Sequence, residues 1–176
     1  MSEILSRGDV LAIPEELCPM IVLSDNMRSL LSWGIKVHEA GSYNHIMVLL
    51  PGGRVATQDL TFREVPVADY LTGRHRLKFW HCPLWTIDQR RTILANVYRD
   101  LDQPWYKRVY DPLAIVGQLV RLDWIQTPGL DICSDKARYL ALVDAGYNLR
   151  HPDPEDVNRW LEKSGRYQVY GRYIPD

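Results

Sequence analysis

The chain has 176 residues, a formal net charge of −1, 46% hydrophobic residues and 10% aromatics. That is enough apolar material for one compact core, while the near-neutral charge and the lack of any basic run remove the electrostatic basis for holding nucleic acid or an anionic membrane surface. No stretch is long and apolar enough to span a bilayer, and the first ten residues, with Glu3, Arg7 and Asp9, lack the apolar region of a secretory signal.

Strand-like segments dominate before about Pro83 and helix-like ones after it, the mark of an α+β domain, here expected to be a single one over 1–176. Asp9 to Ile13 and Met20 to Leu23 read as short strands, and Asn26 to Trp33 as a helical turn or two. His45 to Leu50 and Arg54 to Gln58 flank Pro51-Gly52-Gly53, whose glycines accept the positive φ of a tight turn, so the pair reads as a hairpin. Arg76 to Trp80 is a further strand. Thr86-Ile87-Asp88-Gln89 matches a capping box and opens a helix with Ile87, Leu94, Val97 and Leu101 on one face, ended by Gln103-Pro104. Asp111-Pro112 starts a second helix, and a third follows the breaker Pro128-Gly129, carries Cys133 in its first turn and stops by Gly146. On it Cys133, Ala137, Leu140 and Asp144 share a face. Asp153-Pro154 begins a fourth helix ending near Gly165, and Tyr167, Val169 and Tyr173 mark a closing strand.

The three cysteines, Cys18, Cys82 and Cys133, are odd in number and widely spaced. They form no disulfide framework or zinc motif, and the five histidines have no metal-ligand spacing, so neither metal nor cofactor is expected and reduced cytoplasmic thiols are the simplest reading. Cys133 differs from the others in its helix-start position, where the partial positive charge of the N-terminus favours thiolate. His45, at the mouth of an apolar strand, is the residue best placed to serve it, ahead of His38. Each also has a plain reading: a free cysteine often just fills space, and a strand histidine is often a satisfied core or rim residue. If Leu50 pairs with Val55 across the turn, Gln58 lies diagonal to His45 on the same face and its amide oxygen can accept from the imidazole. A register slip of one residue would turn Gln58 to the other face.

Gly8-Asp9-Val10-Leu11, Tyr43-Asn44-His45-Ile46 and Ile132-Cys133-Ser134, in that order, resemble the circularly permuted papain-like hydrolases of the NlpC superfamily, in particular the YiiX-type branch found in bacteria, phages and poxviruses. The resemblance covers about residues 8–145 as a core and leaves 146–176 as a C-terminal helix and strand extension. It implies a small antiparallel barrel-like sheet packed against the helix that carries the cysteine, with Cys133 as nucleophile, His45 as base and Gln58 as the polar third residue, in a position where the family often has Glu. Pro104-Trp105-Tyr106 is similar to a Pro-Tyr segment that lines the cleft in relatives. Tyr43, Tyr106 and Ser134 are accordingly expected at the substrate. The activity implied is cleavage of an amide bond in a peptide, isopeptide or cell-wall peptide, with no cofactor, nucleic acid or membrane anchor. Two alternatives stand beside it: a lipid thioesterase or acyltransferase of the lecithin retinol acyltransferase type, and a non-catalytic binding or virion structural module.

Overall fold

A computed structural model describes residues 3–26, 42–109, 133–149 and 152–175, with the backbone alone at 133–136. Among the described residues seven strands form one mixed sheet: β1 (Ile4–Leu5), β2 (Met20–Asn26), β3 (His45–Leu50), β4 (Arg54–Gln58), β5 (Phe62–Pro66), β6 (His75–His81) and β7 (Gln168–Tyr173), in the order β1-β7-β6-β2-β3-β4-β5. All neighbours are antiparallel except β1 with β7, which are parallel. Among the described residues the α-helices are α1 (Arg7–Leu11), α2 (Ile87–Leu101) and α3 (Pro154–Ser164), and Cys133–Leu142 is the longest of several 3-10 helices. The chain is thus α+β, with a mixed sheet where a purely antiparallel one was expected. The C-terminal strand lies inside this sheet, between β1 and β6.

Both faces of the sheet are covered, which is why β3 reads as an unbroken apolar run and not as an alternation. On one face Ile21, Leu23, Ile46, Val48, Leu50, Ala56 and Trp80 pack against Ile93 and Val97 of α2, Ala137 and Leu140 of the 3-10 helix, and Val157 and Leu161 of α3. On the other, Met20, Val22, Met47, Leu49, Val55, Leu77 and Phe79 meet Leu5, Val10 of α1, and Val67 and Tyr70 of the turn Val67–Tyr70. Successive strand residues alternate between the two.

Local chemistry sets the element ends. Thr86 and Gln89 form the expected capping box on α2, and Asp153 and Asp156 form another on α3, which closes on Gly165 at φ 66°. The inward face of α2 is Ile93 and Val97, with Leu94 and Leu101 beside them, while Ile87 is exposed. Asp9 to Ile13 is not a strand. Ser6 and Asp9 exchange capping bonds and wind Arg7–Leu11 into a short helix that buries Val10. The helical turn expected over Asn26 to Trp33 has Asn26 in β2 and otherwise lies outside the described residues, as does the helix expected from Asp111-Pro112.

The β3–β4 hairpin has the expected ends but a different register. Gly52 and Gly53, at φ 75° and 65°, close a three-residue loop with Pro51, so Leu50 pairs with Arg54 and Met47 with Thr57. Every β4 side chain is therefore shifted one position from the expected pairing, and the two faces of β4 are exchanged relative to β3.

Candidate active site

His45 opens β3 on the face shared by Met47 and Leu49, opposite Ser24 of β2. The hairpin register brings Thr57 and Asp59 beside it, not Gln58. His45 Nε2 lies 2.7 Å from Thr57 Oγ1 and 3.4 Å from Asp59 Oδ1. Thr57 Oγ1 donates to Asp59 Oδ1 at 3.3 Å, and Tyr70 Oη stands 3.1 Å from both Thr57 Oγ1 and Asp59 Oδ2. Arg63 closes the far side of Asp59 at 3.0 Å. His75 extends the cluster, with Nδ1 at 3.2 Å from Ser24 Oγ and its ring edge-on to Tyr70.

Hydrogen-bond capacity assigns the protons. A carboxylate only accepts, so Asp59 draws the hydroxyl hydrogens of Thr57 and Tyr70 toward itself. Thr57 Oγ1 is then left to accept from His45 Nε2–H, which fixes the tautomer with a bare lone pair on Nδ1. That nitrogen makes no hydrogen bond among the described residues. Burial lowers the His45 pKa, outweighing the opposing pull of Asp59, while His75 adds to the lowering. The imidazole is thus neutral at pH 7 and oriented, the two properties a general base needs. For Asp59, burial pushes its pKa up, but the charges of His45 and Arg63 and the bonds from Arg63 and Tyr70 outweigh it and the net shift is downward. Because His45 is neutral at pH 7, Arg63 and Tyr70 hold the carboxylate there.

Gln58 is buried on the opposite face of β4, where Nε2 donates to the Arg108 carbonyl at 2.9 Å and Oε1 has no partner among the described residues. It therefore does not meet His45. Tyr43 is half-buried, its ring 5.9 Å from Lys78 Nζ, and Tyr106 is exposed in a turn beside Trp105. Cys133 and Ser134 lie in the 3-10 helix Cys133–Leu142, but their side chains lie outside the described residues, and His38 lies there entirely. The body of that helix, through Ala137 and Leu140, packs on the face of β3 formed by Ile46 and Val48, opposite to the one on which His45 projects.

Thr57, Asp59 and Tyr70 are the residues that sequence reading missed. The alternating polar pair Thr57 and Asp59 was the available signal, visible once the loop is counted as three residues. Tyr70 had none, since a 3-10 turn beyond β5 carries it back over the sheet.

No family model and no curated protein matches the sequence. The fold is similar to that of a solved protein. This is the metalloprotein yiiX from Escherichia coli O157:H7, with a TM-score of 0.50 and 12% sequence identity over 84% of this chain and 82% of that one. At that identity the likeness is one of fold. The described residues do not fit a metal: no group of three or more His, Cys, Asp or Glu side chains is placed to hold one, and the carboxylate of the His45 cluster is already engaged by Arg63 and Tyr70. Among the described residues no helix is long and apolar enough to cross a membrane.

Proposed function

We propose that the chain is a thiol hydrolase of the permuted papain-like kind that cleaves an amide bond in a peptide. The observation that carries this reading is the oriented, neutral His45, whose Nδ1 makes no hydrogen bond among the described residues, backed by Thr57, Asp59 and Tyr70. Similarity of fold to yiiX supports it at the level of architecture. In the proposed reaction Nδ1 takes the Cys133 proton and the thiolate attacks the amide carbonyl carbon. Backbone N–H groups at the start of the 3-10 helix stabilise the oxyanion. The C–N bond breaks as His45 returns its proton to the leaving nitrogen, and water, deprotonated by His45, hydrolyses the thioester. Thr57, its hydroxyl held by Asp59, takes the place expected for Gln58 in this scheme. A free thiol of pKa about 8.5 is only a few per cent ionised at neutral pH, so the histidine has a defined task. The pairing requires the Cys133 thiol to come over the end of the sheet where β3 begins.

One observation favours a module that keeps the fold without the chemistry: the body of the Cys133–Leu142 helix lies on the face opposite to His45. Turnover separates the two readings. Incubating the protein with a mixed peptide and peptidoglycan-fragment library and reading products by mass spectrometry should give cleavage that is lost in both Cys133→Ala and His45→Ala, each still folded by circular dichroism. Cleavage that persists in either variant removes that residue from the mechanism.

A further inference from the structure

The end of the sheet at which His45 stands also opens into a cavity of about 210 Å3, lined by Asp25 of β2, Ser42 and Tyr43 ahead of β3, Arg76 of β6, and Arg172 and Tyr173 of β7, among others. Lys78 pairs with Arg172 and Leu77 with Tyr173, so Arg76 falls diagonal to Arg172 on one face of the two strands. Diagonal positions of this kind lie about 7–8 Å apart, a span that two guanidinium groups can close on a single small anion. Neither arginine makes an ion pair among the described residues. The acidic groups nearby are largely committed elsewhere: Glu162 to Lys78 at 2.8 Å, and Glu155 to the Ser42 backbone N–H at 2.9 Å. Asp25, opposite Arg76 in register, is the one carboxylate in the lining. Among the described residues the lining thus carries two guanidinium groups and one carboxylate, with Glu162 and Glu155 close by.

We propose that this cavity is a carboxylate subsite, in which Arg76 and Arg172 hold a side-chain or terminal carboxylate of a bound peptide. Tyr43 stands in the same lining, and burial raises its pKa, so its hydroxyl stays protonated and can donate to the same anion. The spacing to the candidate active site follows from the sheet. His45 is opposite Ser24, and Ser24 is opposite Leu77, so the β6 edge of the cavity is two strands, about 10 Å, from the histidine. Arg76 and Arg172 stand in register on the face of Leu23 and Lys78, opposite to the one from which His45 projects, so a peptide that reaches both passes over the end of the sheet where β3 begins. This path rests on the reading of His45 as the base; the anion site itself does not.

The test is binding, not turnover. Cys133→Ala protein is titrated with acetyl-Ala-Ala-Glu-amide and with acetyl-Ala-Ala-Gln-amide, which differ by one carboxylate, while backbone amide signals of Arg172 and Tyr173 are followed by NMR. The glutamate peptide is expected to bind about tenfold tighter than the glutamine peptide, with the preference shrinking as salt is raised. Arg76→Gln and Arg172→Gln, both at exposed positions, should each erase most of that preference without altering the circular dichroism spectrum. Equal affinity for the two peptides, no binding of either, or a preference retained in the double variant overturns the proposal. A preference that obeys these rules in a protein whose wild type cleaves nothing keeps the subsite and removes the hydrolase.

Discussion

At the scale of single residues, His45 acquires a defined orientation from three neighbours. Thr57 accepts its Nε2 proton, Asp59 fixes the direction of the Thr57 hydroxyl, and Tyr70 and Arg63 hold Asp59. Thr57→Val should leave the imidazole N–H with only the longer contact to Asp59. An imperfectly satisfied buried polar group costs about 1–3 kcal/mol, so the variant is expected to lose stability in denaturant titrations. Its histidine 15N spectrum should also change from a single Nε2–H tautomer to a mixture. A spectrum unchanged from wild type would mean that Thr57 does not set the tautomer. The candidate base was legible in the sequence because a polar residue interrupts the start of an otherwise apolar strand. Its partners were not, because one residue of loop length decides whether Gln58 or the Thr57–Asp59 pair turns toward it.

At the scale of elements, backbone geometry and close packing decide. Gly52 and Gly53 both hold positive φ, and it is this pair that shortens the hairpin loop to three residues. Gly53→Ala should cost about 1–2 kcal/mol, the usual penalty for a Cβ in the left-handed region; nothing lies within 4 Å of the added methyl, so packing adds no further penalty. Gly171 acts differently. A Cβ there would meet Leu5 Cγ at 2.6 Å, so Gly171→Ala should push the Leu5 side chain out and weaken the parallel β1–β7 pairing. Overpacking of this kind costs typically about 1–3 kcal/mol, and hydrogen exchange should show the Ile4 and Leu5 amides opening ahead of the rest of the sheet. Uniform protection across the sheet in that variant would contradict it. The hairpin ends and the starts of α2 and α3 were readable because glycine pairs and capping residues act locally. The first helix was misread because five residues carry too little periodicity to separate from the apolar pattern of a strand, and only the Ser6–Asp9 cap marks it.

At the scale of the molecule, burial of titratable groups fixes how stability responds to pH. His45, His75 and His81 all have pKa values lowered by burial from 6.5. As pH falls through that value the unfolded chain binds protons that the native state refuses, so stability present above about pH 6.5 is lost on acidification. Asp59 and Glu162, whose pKa values are also lowered in the fold, add to the loss at lower pH. On the alkaline side burial pushes the Cys18 thiol up to about 11, so stability declines again once pH passes its ordinary 9.0. Thermal unfolding should therefore show its highest midpoint between these limits, with the acid limb made shallower in His45→Gln. An acid limb that His45→Gln leaves untouched would place the titrating groups elsewhere. The central claim concerns a different proton, the one shared by His45 and Cys133. It is tested most directly by the rate of iodoacetamide alkylation of Cys133 from pH 4 to 10 in a Cys18→Ser/Cys82→Ser background, with and without His45→Ala. Fast alkylation persisting well below pH 8 and lost with His45 is expected; slow alkylation that follows an ordinary thiol titration, unchanged by His45→Ala, would contradict it.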